Sequence, residues 1–206
     1  MLRTTDMEIN SNAVRSKLPP SYLPFSDLLA EIDARRPHLV GIDGRCASGK
    51  TTLAAFLEKI YDCNVFHADD FFLPPEKRTE ARLGEIGGNM DRERLYDEVI
   101  SSVNKKSDTV YRKFFCHSLT FSDEITVPYK PLTLIEGSYC LHPDLYDNYD
   151  LHVFMDIDGD KQLARIASRG GAAALADFKE RWIPYEERYF DAFKIKEKCD
   201  IVIRTE

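Results

Sequence analysis

The sequence is poor in the features that mark secreted, membrane-spanning or nucleic-acid-binding proteins. Its five cysteines are odd in number, widely scattered and without the paired short spacings of a zinc site, so we expect reduced thiols. No apolar run reaches the length of about 20 residues that a membrane span needs, and the N-terminus lacks the apolar core of a signal peptide. Acidic residues outnumber basic ones by 35 to 28, which argues against a nucleic-acid partner. We therefore expect a cytoplasmic protein without a membrane partner.

The length and composition fit one compact domain. With 206 residues and 43% hydrophobic content, the chain has enough material for a sizeable core but little room for two full domains. Three prolines between residues 16 and 24 predict an N-terminal leader over 1–24, followed by an amphipathic helix over 25–36. The predicted domain covers 25–206 and includes a small lid near 165–182.

Apolar strand-like segments alternate with helix-like ones along the chain. The predicted strands are 38–43, 64–67, 132–135, 151–155 and 200–203, and the predicted helices are 50–61, 92–103, 161–168 and 177–193. Between them, residues 110–129 mix β-branched, aromatic and charged side chains and predict an irregular hairpin at the mouth of a site. This alternation indicates an α/β fold with a doubly wound, mostly parallel sheet.

The segment from Gly44 to Thr51 matches the pattern G-x-x-x-x-G-K-[ST] without a mismatch, between a predicted strand and a predicted helix. Such a loop turns its backbone N–H groups and a helix N-terminus towards phosphate oxygens. Lys50 is expected to reach the β- and γ-phosphates, Thr51 to bind Mg²⁺ and Thr52 to hold the α-phosphate. The predicted nucleotide-binding set is Gly44, Arg45, Cys46, Ala47, Ser48, Gly49, Lys50, Thr51 and Thr52. The fold expected is that of the P-loop-containing nucleoside triphosphate hydrolases.

The nucleotide is expected to be ATP rather than GTP. Guanine specificity favours an Asn-Lys-x-Asp element, and the segment 104–107 reads Asn-Lys-Lys-Ser, so it lacks the final aspartate. The predicted cofactors are therefore ATP and Mg²⁺.

Two acidic positions follow predicted strands, where ligands bind in open α/β sheets. Asp69 is the first candidate for a base that accepts the proton of an attacking hydroxyl, and it could also bind Mg²⁺ through water. The alternative is that Asp69 and Asp70 only cap a turn or helix. Glu136 ends a strand in the manner of a Walker B acid and is a candidate for the metal, together with Thr51 and Asp69.

The combined motifs resemble the group of uridine kinases, phosphoribulokinases and pantothenate kinases. The resemblance rests on the segments 41–52, 69–72 and 135–137 and on Arg165 with Arg169. It implies Asp69 as the base and a lid whose arginines close over the phosphates. Arg165 and Arg169 stand four residues apart, so they are expected to share one helix face. The catalytic set expected is Asp69, Lys50, Glu136 and Arg169.

The resemblance also implies an acceptor site. The substrate-binding residues expected are Asp69, Asp91, Tyr111, His117, Arg165 and Arg169. Two positions depart from the pattern of the group, because Ile166 stands where a second arginine is common and Gly170 where an acid is expected. Gly170 and Gly171 are expected to let the lid hinge. The run from Trp182 to Tyr185 also looks like nicotinamide riboside kinases. Trp182, Tyr185 and Tyr189 have helical spacing, which favours a core role over a platform that stacks on a base.

These patterns predict an enzyme that transfers phosphate from ATP to an alcohol group of a small-molecule acceptor. The ribose 5′-hydroxyl of uridine or cytidine is the first candidate, and nicotinamide riboside, pantothenate and sugar phosphates are alternatives. A different class is a nucleotide-dependent switch or interaction protein that hydrolyses ATP slowly. A homo-oligomer is left open.

Overall fold

The computed structural model describes residues 25–205, so the predicted leader lies outside the described residues. The chain divides into two compact units, Met1–Arg36 and Pro37–Glu206. Within the first unit, helix α1 (Ser26–Arg35) ends where Arg36 turns left-handed with φ 49°. The predicted domain boundaries remain a prediction.

The second unit is built on a parallel sheet. The strands are β1 (Leu39–Gly44), β2 (Cys63–His67), β3 (Thr109–Tyr111), β4 (Phe114–Phe115), β5 (Thr120–Phe121), β6 (Ile125–Val127), β7 (Leu132–Glu136), β8 (Leu151–Ile157) and β9 (Ile201–Thr205). Five of them form the sheet in the order β2-β7-β1-β8-β9, and every pairing in it is parallel. Every residue of β1 and β7 is buried, as expected for strands covered on both faces.

Helices connect these strands. They are α2 (Lys50–Ile60), α3 (Glu80–Gly84), α4 (Arg92–Leu95), α5 (Ser101–Asn104), α6 (Pro143–Tyr146), α7 (Gly159–Asp177), α8 (Ile183–Phe193) and α9 (Ile195–Lys198). A π-helical turn, Tyr96–Ile100, joins α4 to α5, and a second one, Phe178–Trp182, joins α7 to α8. Within residues 25–205, no helix combines the length and the apolar character that a membrane crossing requires.

The observed architecture confirms the predicted α/β fold and its parallel sheet. The predicted helix 161–168 is longer than expected, because α7 continues through a kink at Gly171 to Asp177. The predicted hairpin 110–129 is present as two antiparallel pairs, β3 with β6 and β4 with β5.

The sheet register brings three carboxyl ends to one edge. Glu136, the last residue of β7, pairs with Ile42 of β1 and with His67 of β2. Gly44 at the end of β1 pairs with Met155 of β8. The loops that follow β1, β2 and β7 therefore start side by side, and they carry the candidate site.

Candidate active site

The phosphate loop leaves β1 in a conformation that needs glycine. Gly44 has φ +135°, and a Cβ atom there would lie 2.2 Å from the Met155 carbonyl oxygen. The backbone N–H of Arg45 donates to that same oxygen at 3.1 Å. Gly49, with φ +102°, directly precedes helix α2. The loop therefore curls tightly against β8 before it enters the helix.

The Lys50 ammonium group is hydrogen-bonded to backbone carbonyl oxygens of the phosphate loop. Its Nζ atom donates to the carbonyl oxygens of Gly44 at 2.7 Å and Arg45 at 3.0 Å, and it lies 3.5 Å from the Ser138 hydroxyl. The residue is only 9% exposed. These bonds keep a positive charge at a fixed place on the cavity wall, where it can meet an anionic ligand.

Thr51, Glu136 and His67 form a small oxygen-rich cluster. The Thr51 hydroxyl donates to Glu136 Oε1 at 3.1 Å, and His67 Nδ1 lies 2.6 Å from the same oxygen. This bond to Glu136 raises the pKa of His67. Among residues 25–205 there is no group of three His, Cys, Asp or Glu side chains that could hold a metal. A hydroxyl beside a carboxylate nevertheless fits Mg²⁺, which takes few protein ligands and completes its shell with phosphate oxygens and water.

Asp69 lies just after β2, in a one-turn helical segment, Ala68–Phe71. Its side chain is accessible because it faces a cavity, yet it is surrounded by protein atoms on its other sides. This desolvation raises the pKa of Asp69, and the nearby Lys50 charge opposes the rise. A carboxylate with a raised pKa in a cavity is suited to accept a proton.

Arg45 and Arg165 fix the loop from outside. The Arg45 guanidinium binds Glu187 with two hydrogen bonds of 2.6 and 2.9 Å and also pairs with Asp156. Arg165 donates to the Ala47 carbonyl oxygen at 3.0 Å and lies 3.4 Å from the Thr205 hydroxyl. Neither side chain lines the cavity, so both are placed to hold the loop in shape.

Glu186, on α8, enters the phosphate loop. Its Oε2 accepts a hydrogen bond from the Cys46 backbone N–H at 2.8 Å, and its Oε1 accepts one from the Ser138 hydroxyl at 2.6 Å. The residue is 5% exposed. The sequence analysis did not predict a role for Glu186. Its spacing of four residues from Trp182, which puts both on one helix face, is the only feature of the sequence that could have indicated it.

These elements enclose a cavity of about 430 Å³. The sequence-predicted residues that line it are Cys46, Ala47, Gly49, Lys50, Thr51, Thr52, Asp69, Glu136 and Arg169. Other lining residues include Ser138, Tyr139, Phe72, Trp182 and Glu186. Burial raises the pKa of the Cys46 thiol well above its usual range, so the thiol stays protonated.

Besides Arg165, three residues predicted to contact the acceptor lie outside this cavity. Asp91 is fully buried, pairs with Lys77 at 2.8 Å and caps helix α4. Tyr111 stacks on Phe71 with ring centroids 5.9 Å apart. His117 is exposed and follows β4. None of the three lines the cavity, and their roles stay predictions.

A second cavity of about 460 Å³ adjoins the first and shares Phe72, Tyr139 and Trp182 with it. Its other lining residues include Arg78, Glu85, Asn89, Cys116, Arg181, Tyr185 and Arg188. Helix α8 serves both cavities, because Glu186 faces the first while Tyr185 and Arg188 face the second.

The chain is similar to known proteins in sequence and in fold. No family profile matches the chain. The chain is 30% identical over 146 residues to the uridine kinase of Saccharomyces cerevisiae, a match that covers 65% of this chain and 29% of the yeast protein. It thus spans about three tenths of the length of this curated relative.

Two solved structures share the fold. A possible uridine kinase from Bacillus stearothermophilus has a TM-score of 0.61 at 20% identity, over 80% of this chain and 87% of that one. A proposed fructose transport system kinase from Silicibacter sp. TM1040 has a TM-score of 0.61 at 21% identity, over 93% and 96%. These two structures confirm the predicted fold. The match to the yeast uridine kinase confirms the predicted resemblance to uridine kinases.

Proposed function

We propose that this chain, which is similar to uridine kinase-like P-loop kinases, transfers the γ-phosphate of ATP to an alcohol group of a small metabolite. The observation that carries the proposal is one cavity lined by the phosphate loop, by Lys50 and by the Asp69 carboxylate. A nucleotide-binding wall and a proton acceptor therefore face the same space. Phosphoryl transfer needs both in this arrangement.

The phosphate loop and Lys50 would bind the triphosphate. The loop leads into the N-terminus of α2, whose first backbone N–H groups would face the phosphates, and Lys50 would add a cation at the β- and γ-phosphates. Thr51 and Glu136 would hold Mg²⁺, which neutralises charge on the phosphate oxygens when it is bound. Arg169, on α7, lines the same cavity and would add a further positive charge from the lid side.

Asp69 would act on the acceptor. The acceptor oxygen forms a bond to the γ-phosphorus, and the bond from that phosphorus to the bridging oxygen of ADP breaks. The proton of the acceptor hydroxyl moves to a carboxylate oxygen of Asp69 as the new bond forms. The raised pKa of Asp69 makes it a stronger proton acceptor than an exposed aspartate.

The resemblance to the uridine kinase group suggests which acceptors to test first. Uridine and cytidine, through the ribose 5′-hydroxyl, come first, and nicotinamide riboside, pantothenate and sugar phosphates come next. The adjoining cavity, which opens beside Phe72 and Tyr139, has room for molecules of this size.

The test is Mg²⁺- and ATP-dependent ADP formation by the purified chain with each acceptor of this panel, with the product identified by mass spectrometry. ADP formation that depends on an acceptor, together with a phosphorylated product of that acceptor, supports the proposal. ADP formation at the same rate without any acceptor supports the nucleotide-dependent switch instead. Failure to bind ATP or ADP in the presence of Mg²⁺ would overturn the proposal altogether.

A further inference from the structure

The second cavity is positively charged in an acidic protein. The chain carries a net charge of -7, yet the cavity is lined by three arginines, Arg78, Arg181 and Arg188, and by one carboxylate, Glu85. Glu85 is already committed, because its carboxylate binds Arg92 at 2.6 Å, and this contact lowers the pKa of Glu85. The charge that the cavity presents to a ligand is therefore positive.

Two of the three guanidinium groups have no acidic partner within the described residues. Arg188 makes no ion pair there, and Arg78 uses its Nε atom to bind the Leu73 carbonyl oxygen at 2.8 Å. Arg181 differs, since it lies 3.6 Å from Asp177 and stacks over the Trp182 ring at 4.3 Å. Two guanidinium forks that are not neutralised, on the wall of a cavity, suit a carboxylate or a phosphate.

Two uncharged polar groups of the same cavity have no polar partner other than each other. The Tyr139 hydroxyl and the Asn89 amide nitrogen are buried, and neither makes a hydrogen bond of normal geometry within residues 25–205. They lie next to each other, and both residues line the second cavity. Buried polar atoms are rarely left without a partner, so these two are suited to a hydroxyl group of a ligand.

The second cavity lies close to the Asp69 carboxylate. The second cavity shares Phe72, Tyr139 and Trp182 with the first, so the two spaces adjoin. Arg78 lines the second cavity, while Asp69 lines the first. A ligand held by Arg78 could thus present a hydroxyl towards Asp69.

We propose that the second cavity binds a hydroxyl-bearing metabolite that carries an anionic group, with Arg78 and Arg188 holding the anion and Tyr139 and Asn89 a hydroxyl. This inference rests on the proposed function, because it identifies that metabolite as the phosphate acceptor. It selects the anionic members of the acceptor panel, pantothenate and sugar phosphates, over the uncharged nucleosides. Carboxylate and phosphate share the chemistry that the two arginines recognise.

Binding is measured with pairs of probes that differ in the anionic group. The pairs are pantothenate with pantothenol, D-glycerate with glycerol, and ribose 5-phosphate with ribose, and uridine is included as an uncharged nucleoside. Trp182 is the only tryptophan of the chain and lines both cavities, so its fluorescence reports binding. The first cavity is filled beforehand with a non-hydrolysable ATP analogue and Mg²⁺, which keeps the probes out of the phosphate loop.

We expect at least one anionic probe to bind about tenfold more tightly than its uncharged counterpart, a difference of about 1.4 kcal/mol. Arg78→Gln and Arg188→Gln should each remove most of that preference. Arg204→Gln is the matched control, because Arg204 is exposed on β9, makes no ion pair within the described residues and lines neither cavity. A preference limited to pantothenate and glycerate would identify a carboxylate, and one limited to ribose 5-phosphate would identify a phosphate.

Equal binding within every pair, or a preference that survives both arginine substitutions, would overturn the inference. Turnover of uridine with an unchanged KM in Arg78→Gln and Arg188→Gln would overturn it as well, while the kinase function would stand. Conversely, selective anion binding without acceptor-dependent ADP formation would contradict the proposed function and leave the anion site in place.

Discussion

The two adjoining cavities share three aromatic side chains but are built in different ways. The first cavity is lined by residues at strand ends and by the phosphate loop, whose Lys50 is 9% exposed. The second cavity is formed by residues from separate segments, 72–89, 116, 139 and 181–188, and its arginines are exposed. The first cavity is therefore determined by backbone geometry, and the second by the choice of individual side chains.

This difference implies that the two binding properties can be changed separately. A loop held by the Met155 backbone and by Arg165 tolerates few substitutions, because its shape is part of the fold. Exposed arginines on a cavity wall can be replaced with little effect on stability. Acceptor preference could therefore change while the nucleotide site is kept, and the following predictions test that separation.

The largest effect is expected on kcat when Asp69 is replaced, because the proposed reaction joins the ligands of both cavities at this residue. Asp69→Asn removes the proton acceptor and should lower kcat by roughly 10²- to 10⁴-fold, the range for general-base catalysis. The Kd of the Mg²⁺–ATP analogue and the fluorescence response to acceptor should stay the same, since neither depends on proton transfer. Steady-state kinetics and nucleotide titrations measure the two properties. A kcat close to that of the unchanged chain would remove Asp69 as the base.

The next largest effect is expected on the free energy of unfolding, through Asp43 next to the phosphate loop. Asp43 is fully buried below the loop, where desolvation raises its pKa to about 6 although the backbone N–H of Leu141 and the charge of Lys50 oppose the rise. The folded chain therefore binds this proton more tightly than the unfolded chain. Between about pH 4 and pH 6 the free energy of unfolding should fall as pH rises, by about 3 kcal/mol from this group.

Urea unfolding of the unchanged chain and of Asp43→Asn at several pH values isolates this contribution, because other titrating groups cancel in the difference. The stability of the unchanged chain relative to the variant should decrease between pH 4 and pH 6. A difference that is constant with pH would show that Asp43 titrates normally.

Lys50 tests whether nucleotide binding can be lost alone. Lys50→Ala removes a cation with charge-assisted hydrogen bonds and should weaken Mg²⁺–ATP binding by roughly 10- to 100-fold. Anion binding in the second cavity should persist, since Lys50 does not line it. Lys59→Ala, at the exposed far end of α2, is the control and should bind nucleotide normally. Loss of anion binding in Lys50→Ala would mean that the two cavities are one site.

The smallest effect is expected at Glu186, whose carboxylate occupies the Cys46 N–H of the phosphate loop. The phosphates of a bound nucleotide would meet this negative charge, so Glu186→Gln should tighten Mg²⁺–ADP binding by about tenfold, or about 1.4 kcal/mol. Glu180→Gln, on an exposed position of the preceding turn, serves as the control. Isothermal titration calorimetry measures both. Weaker binding in Glu186→Gln would instead indicate that Glu186 orients the loop for the nucleotide.

The main features of the fold were predictable because they depend on local patterns. Short apolar segments and the motif from Gly44 to Thr51 carry their structural meaning within a few residues, and the five strands of the parallel sheet are where they were expected. The kink at Gly171 was anticipated as a hinge, but the length of α7 was not. A helix that continues past two glycines gives no clear end signal.

The residues around the two cavities were harder to predict, because their positions depend on contacts between distant segments. Asp91, Tyr111 and His117 line neither cavity, since helix capping, ring stacking and an exposed hairpin fix their positions. Glu186 gave no chemical signal in the sequence, because its role follows from a contact 140 positions along the chain. Such contacts become visible only when the helices are placed on the sheet.

The bend at Gly171 depends on backbone angles that an L-residue does not readily adopt. This residue has φ 71° and ψ -168°, and nothing lies within 4 Å of the position that a Cβ atom would take. A methyl group therefore meets no neighbour, and only the chirality of its carbon decides whether it is tolerated. These angles are the mirror image of an extended conformation that L-residues adopt readily, so L-alanine would be strained and D-alanine would fit. The direction in which the chain turns within α7 is thus set by the absence of a stereocentre at one residue.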